Sequence, residues 1–390
     1  MNAYLDNNAT TQPLPEVVAA VSECLEHCWA NPSSVHRPGQ ASRARIEKAR
    51  RSVADLIGAG HREVVFCSGG TESCQMAIRG ALDWIRSQSD GGQNRNVLVT
   101  SPVEHSAVRD LAKGMGECEQ AEVRWLPIGY GGIIDAEASR ELIDDRVAVL
   151  SVQWANNETG AIQPAIELAH MAKEAGAIVH VDGTQWVGRL DTDVRELPFD
   201  LLTFSAHKFH GPKGIGALWI RKGVKLCKQT PGSQELGRRG GTENVPGIVG
   251  LGEAAKGAQS WLADPSNRVR IAELRDLLET SVLARIEGAC VNGTTDPDKR
   301  LWNTTNLALP GVDAEIMLLT LAEMGVCVSA GSACSSGSLE PSPVLCAMGL
   351  DKAQAAGSLR LSLSRFSTET EVRSAIEAIV EAWHAVTASV

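Results

Sequence analysis

The chain of 390 residues carries 37 lysines and arginines against 47 aspartates and glutamates, a formal net charge of -10, and 43% of it is apolar. One hydrophobic core rarely serves so long a chain, so two domains of unequal size are expected, and the acidic balance without a long basic tract counts against direct nucleic-acid binding or an anionic membrane surface. The opening MNAYLDNNATT has neither a basic n-region nor an apolar h-region, and no apolar run approaches membrane-spanning length, so a soluble, cytoplasmic protein is expected.

In chain order, short apolar runs alternate with helical patterns. EVVFC at 63 to 67 precedes a helix over about 71 to 86, NVLVT at 96 to 100 precedes one over 104 to 115, and VAVLSV at 147 to 152 precedes one over 164 to 175 that opens with Pro164. AIVHVD at 177 to 182, LLTFS at 201 to 205 and GALWI at 216 to 220 complete the series. Such alternation predicts a mostly parallel α/β sheet. From about 244 the texture changes to a long helical stretch through 286, a strand at 303 to 309 and a helix at 313 to 324, as in a second α+β domain. LRLSLSRF then alternates like a half-buried strand, and TETEVRSAIEAIVEAWHAV reads as an amphipathic helix with an acidic first turn.

The ten cysteines are scattered along the chain and are expected to be reduced thiols. Cys24 and Cys28, and Cys67 and Cys74, form no Cys-x-x-Cys pair, and no histidine cluster completes a zinc set, so no structural metal site is expected. Lys208 lies in SAHKFHGPKGIG between two histidines, at the mouth of a glycine-rich turn after LLTF. Burial there lowers an amine's pKa and makes it a usable nucleophile, whereas a lysine in a plain loop is solvated. Asp182 ends AIVHVD and faces the same cleft; an acid and an amine at neighbouring strand ends suit pyridoxal phosphate (PLP), whose ring nitrogen wants a carboxylate and whose aldehyde wants a lysine.

Gly69-Gly70-Thr71-Glu72 opens a helix after EVVFCS, where free N–H groups and the Thr71 hydroxyl suit a phosphate, although taken alone such a turn is more often a helix cap. It has neither dinucleotide-fold nor P-loop spacing. His105 follows NVLVT at another strand end. Ser205 and His207 flank Ala206 and offer further phosphate donors. Cys334 sits in VSAGSACSSGSLEPS among glycines and small hydroxyl residues, an accessible loop setting that favours a reactive thiol over a buried one such as Cys327.

With YLDNNATT, NPSS, FCSGGTES, VEHSAV, SVQWANNETG, HVDGTQWVG, FSAHKFHGPKGIGAL, ELGRRGGTENV, SAGSACSSGSLEPS and LRLSLSRF in this order, the chain resembles the PLP-dependent cysteine desulfurases of the NifS/IscS-like, mobile-loop group within the class V aminotransferases. The resemblance implies PLP-dependent transferase fold type I, with a seven-stranded, mostly parallel sheet. It implies a large domain at 15 to 261, and a small α+β domain made of 1 to 14 and 262 to 390 that carries the Cys334 loop. It further implies that Lys208 bonds the cofactor aldehyde, Asp182 pairs with the ring nitrogen, and His105 stacks on the ring and handles protons. Gly70, Thr71, Ser205 and His207 would hold the phosphate, joined by Thr242 from the second subunit of a homodimer. Asn156 and Gln185 would contact the ring and its phenolic oxygen, with Asn156 also near the substrate. Arg360 would clamp the carboxylate of L-cysteine, with Arg365 as its rival.

In the implied reaction L-cysteine becomes L-alanine, and its sulfur passes to Cys334 as a persulfide and then to an iron-sulfur scaffold or another acceptor protein; the persulfide is also a transient ligand for a nascent cluster. Two departures stand out: Ala206-His207-Lys208 replaces the usual Gly-His-Lys, and Gly183-Thr184-Gln185 replaces Ala-Val-Gln. Alternatives are a selenocysteine lyase or another fold-type-I PLP enzyme, and a non-catalytic sulfur carrier or scaffold protein.

Overall fold

Mainly apolar runs such as Val64–Cys67, Val97–Thr100 and Val147–Gln153 are buried along their whole length, as strands covered by helices on both faces must be. The computed structural model describes residues 3–88, 95–330 and 341–388. Seven strands form its main sheet, in the order Val64–Cys67, Gly216–Ile220, Leu201–Ser205, Ile178–Asp182, Val147–Gln153, Val97–Thr100 and Glu122–Trp125. Gly216–Ile220 runs antiparallel to both neighbours, and every other pairing is parallel. The carboxyl ends of all strands but that one therefore open on one edge, where ligands of open α/β sheets bind.

The period of two in strand side chains divides the sheet between two cores. Phe66, Val99, Val152 and Phe204 pack on one face with Val53 of helix Arg37–Leu56, Leu168 of Ala165–Glu174 and Leu251 of Val245–Leu262. Val65, Leu98 and Val149 pack on the other with Ile78 of Gly70–Ser87 and Val108 of Ser106–Glu117. A further core gathers Ala3 and Leu5 with residues between Ile271 and Val386, around an antiparallel sheet ordered Ser329–Ala330, Ser358–Ser362, Thr304–Ala308 and Cys290–Val291. Helix Glu369–Thr387 opens with a capping box in which Thr368 Oγ1 accepts from Glu371 N–H and Glu371 Oε2 accepts from Thr368 N–H.

Among the places where the fold departs from the sequence reading, which also bounds no element before residue 63, two have a plain physical reason. The helical stretch from 244 to 286 is two helices, Val245–Leu262 and Ser266–Arg285, because Pro265 cannot donate the N–H a continuous helix needs. Glu122–Trp125 is an edge strand whose charged EVRW pattern hides it among turns. The segment after Ala3–Tyr4 joins the two sheets: Asn7 N–H donates to Ser362 O (3.2 Å) and Thr11 N–H to His207 O (2.9 Å). It thereby lies against the turn carrying Lys208.

Candidate active site

At the carboxyl edge of the main sheet a cavity of about 230 Å³ is lined by Gly70, Thr71, His105, Asp182, Gln185, Ser205, His207 and Lys208, together with Ala9, Ala107, Gln153, Ala155, Asn157 and Thr184. Its floor is built by close backbone packing. A Cβ on Gly216 would lie 2.8 Å from both Gly69 Cα and Phe204 O, so only glycine lets the Gly69-Gly70 turn settle onto the neighbouring strand. A Cβ on Gly70 would lie 3.2 Å from Thr184 Oγ1. The turn then starts helix Gly70–Ser87, whose first N–H groups have no partner within the helix and present its positive end.

Lys208 ends a short helical turn, and its Nζ donates to the carbonyls of Asn8 (2.6 Å) and Ala9 (2.9 Å) on the crossing segment. Asp182, 6% exposed, accepts the Thr184 N–H at 2.9 Å, and Cys74 Sγ lies 3.9 Å from its other oxygen. His105 caps helix Ser106–Glu117: its Nδ1 accepts from Ala107 N–H at 3.1 Å. A neutral imidazole whose Nδ1 accepts carries its proton on Nε2. Burial foremost, with Lys208 and Arg109 adding to it against Asp182, lowers the His105 pKa and keeps the ring neutral at neutral pH. His207 contacts Thr10 Oγ1 through Nδ1 at 3.2 Å and is pushed down to about 4, by burial first and by Lys208 next.

The Asn156 carboxamide is placed otherwise than expected. Its Oδ1 accepts from Glu158 N–H (2.8 Å) and Thr159 N–H (2.9 Å), and its Nδ2 donates to Val103 O (3.0 Å), so both ends of the amide are taken up by backbone, one in its own turn and one after the neighbouring strand. Asn157 lines the cavity instead, with a buried Oδ1 that has no partner among the described residues. Gln153, Ala155 and Asn157 face the cavity in alternation, a strand period that a reading of the sequence could have extended past Gln153. Gln185 donates to Asn8 O at 3.0 Å and leaves its Oε1 equally unpartnered.

Arg360, 2% exposed, pairs with Asp6 (2.7 Å) and donates to Asn157 O (3.2 Å), while its buried Nε has no partner among the described residues. Neither arginine lines the cavity itself: Arg360 stands behind Asn157, and Arg365 lies in a small cleft behind Lys208, donating to Gly257 O (3.0 Å) over the Trp261 ring. Thr242 is exposed and does not line the cavity of its own chain. Cys334 lies outside the described residues. Among the described residues no group of three or more His, Cys, Asp or Glu side chains is placed to hold a metal ion.

These residues fit PLP. A glycine-floored helix start suits its phosphate, a buried carboxylate its ring nitrogen, a lysine its aldehyde, and unpartnered carboxamide atoms its polar ring substituents.

Comparison with known proteins agrees with this geometry. Residues 3–374 match the Aminotransferase class-V family. The chain is 44% identical over 378 residues to a cysteine desulfurase of Cereibacter sphaeroides, covering 96% of this chain and 94% of that relative. It is 42% identical over 373 residues to the cysteine desulfurase NifS of Azotobacter vinelandii, covering 95% and 90%. Among solved structures it resembles a NifS-like protein with a TM-score of 0.88 at 32% identity, over 98% of this chain and 99% of that one. It also resembles SspA in complex with cysteine, with a TM-score of 0.78 at 31% identity, over 94% and 100%.

Proposed function

The chain belongs to the aminotransferase class-V family, and from that premise we propose that it is a PLP-dependent cysteine desulfurase that converts L-cysteine to L-alanine and passes the sulfur on through Cys334. The observation that carries the reading is the meeting of Lys208, Asp182 and His105 in one cavity above a glycine-floored helix start. When bound, PLP supplies an aldehyde for the lysine and a protonated ring that draws off the electron pair released at the substrate α-carbon.

Each residue then has a task that its surroundings support. Asp182, fixed by the Thr184 N–H, holds a proton at the ring nitrogen. Gly70, Thr71, Ser205 and His207 hold the phosphate, with Gln185 and Asn157 on the ring substituents; Asn157 takes the place first given to Asn156. Lys208 would anchor the cofactor through its amine, which Asn8 O and Ala9 O hold in place. His105 covers the ring and donates a proton from Nε2. The Arg360 guanidinium receives the substrate carboxylate, and its Nε, without a partner among the described residues, supports that role over Arg365. Cys334 attacks the substrate sulfur as a thiolate: the carbon-sulfur bond breaks, its electron pair stays on carbon to take a proton, and a persulfide forms on Cys334.

Thr242, exposed on its own chain, completes the phosphate site of a second copy in a homodimer. The persulfide serves iron-sulfur cluster assembly through an acceptor protein, without direct nucleic-acid or membrane contact. A division into a large domain, 15 to 261, and a small one, 1 to 14 with 262 to 390, is supported by the separate core around Leu5, Leu278 and Ile379. Cytoplasmic residence is supported by free thiols at every cysteine among the described residues.

The experiment is to incubate purified, PLP-reconstituted protein with L-cysteine and a reductant and to measure alanine and sulfide. Wild type should yield both in equal amounts. Lys208→Ala should lack the visible band of a lysine-bound cofactor, and Cys334→Ala should keep that band and lose sulfide. Undiminished turnover of L-cysteine by Cys334→Ala would sink the mechanism.

A further inference from the structure

Behind Lys208, on the side away from the cavity, lies a buried cation that the reaction as derived above does not use. Arg189 is 4% exposed and makes no ion pair among the described residues. Its guanidinium donates to Asn8 Oδ1 (2.7 Å), Asn7 O (3.1 Å) and Lys208 O (3.2 Å). The first two acceptors belong to the crossing segment and the third is the main chain of the lysine itself. Asn8 O in turn accepts from Lys208 Nζ and from Gln185 Nε2. One planar fork thus fixes both the root of the lysine side chain and the segment that receives its tip. A lysine at 189 has three donors on a single nitrogen and lacks this spread geometry.

The charge is as informative as the fork. Burial of an unpaired guanidinium is costly, and Arg189 is pushed down to about 9 by burial first, then by Arg360 and Arg365. A packing role alone would be served by a neutral side chain. The groups that share the space around Lys208 are Asp182 and His105 across the cavity, and His207 and Lys213 on its own turn. Behind it stand Arg365 and His210, and on the crossing segment Asp6 is held by Arg360. Asp182 is the acid among them that faces the lysine from the sheet, and in the proposed reaction it is engaged with the cofactor ring. A fixed positive charge at the lysine's back disfavours the ammonium form and favours the free amine.

We propose that Arg189 is the positioning residue of Lys208, tying its main chain to Asn7 and Asn8 and holding the amine in its neutral, nucleophilic state. The proposal rests on the PLP reading of the cavity, so its test separates the two. Reconstituted wild type, Arg189→Gln and Arg189→Lys are titrated with pH while the visible band of the lysine-bound cofactor is followed, and cofactor affinity is measured on each. Removing a nearby cation raises the pKa of the nitrogen it faces, so Arg189→Gln should move the spectral midpoint upward by about one pH unit. Arg189→Lys, which keeps the charge and loses the fork, should titrate within about 0.3 unit of wild type and release the cofactor several-fold faster. The proposal is overturned if Arg189→Gln titrates like wild type, or if Arg189→Lys shifts by about a unit. The second arm decides the matter even if Arg189→Gln does not fold. A wild type that shows no band after reconstitution would refute the cofactor reading, and this proposal with it.

Discussion

Glu235→Ala should be among the most destabilising single substitutions outside the cavity. Glu235 Oε2 accepts from Arg50 Nη1 (2.7 Å) and from Phe66 N–H (2.7 Å), and its Oε1 accepts from Arg50 Nη2 (2.8 Å). Arg50 is 3% exposed and Glu235 4%. The substitution leaves the guanidinium buried with Val64 O at 2.8 Å and with Glu47, whose side chain is 36% exposed and reaches only Nε at 3.3 Å. Stranding a buried charge costs about 3–5 kcal/mol, and the orphaned Phe66 N–H adds about 1–3. Because the two losses share one site, a total of roughly 4–6 kcal/mol is expected. The pair must also outweigh the left-handed backbone at Glu235 (φ 47) and Leu236 (φ 59), conformations that side chains other than glycine adopt reluctantly. Urea denaturation of wild type, Glu235→Ala, Arg50→Met and the double variant measures the coupling directly. The double variant should recover about 2 kcal/mol or more relative to the sum of the single losses. A Glu235→Ala loss below about 1 kcal/mol, or full additivity, would refute the reasoning. Since the Val64–Cys67 strand leads straight into the Gly69-Gly70 turn, cofactor affinity should fall in the same order as stability.

Gly216→Ala should lower cofactor affinity at least about tenfold, because its Cβ meets backbone atoms at 2.8 Å that cannot rotate away; isothermal titration showing wild-type affinity would contradict this. In cofactor-free protein, stability against urea should peak near pH 6.5. Burial holds His180 and His207 down to about 4 and His210 to about 3, so stability is lost as pH falls through and below the ordinary histidine range. Burial raises Glu104 to about 8 and Glu158 to about 7, so their contribution is complete below the ordinary carboxylate range and is lost as pH rises toward 8, at about 1.4 kcal/mol per pH unit and group. Glu104→Gln should flatten the limb between pH 7 and 8, and a wild-type curve that is level or rising from pH 6.5 to 8 would disprove the assignment.

The parts of this molecule that could be read from its sequence are those whose physics is local. Mainly apolar runs gave strands to within a residue or two, and the residues that end or follow them, Asp182 and Ser205, His105 and Lys208, fall at the carboxyl edge because a parallel sheet sends successive strand ends there. Glu122–Trp125 escaped because an edge strand needs no apolar alternation on its open side, and EVRW carries two charges that pair with Asp144 and Arg146 around it. Asn157 rather than Asn156 lines the cavity because adjacent residues present opposite faces, and that parity is set by where Val147–Gln153 ends.

What no local pattern announces is the electrostatic support of the site. Arg50 and Glu235 are distant in sequence, as are Arg189 and Asn8, and each reads alone as an ordinary surface polar residue. Their meaning comes from topology: the crossing segment lies against the lysine turn while Ala3–Tyr4 pairs with Val326–Cys327 in a separate two-stranded sheet and Asn7 bonds Ser362 of the four-stranded one. Pairing outside the main sheet therefore bears on the pose of Lys208 through Asn7, Asn8 and Arg189, although none of those strands lines the cavity. A substitution that loosened the Ala3–Tyr4 pairing should accordingly weaken the lysine's hold on its cofactor while leaving the main sheet intact, a separation expected only if the amine is positioned from the small sheet's side.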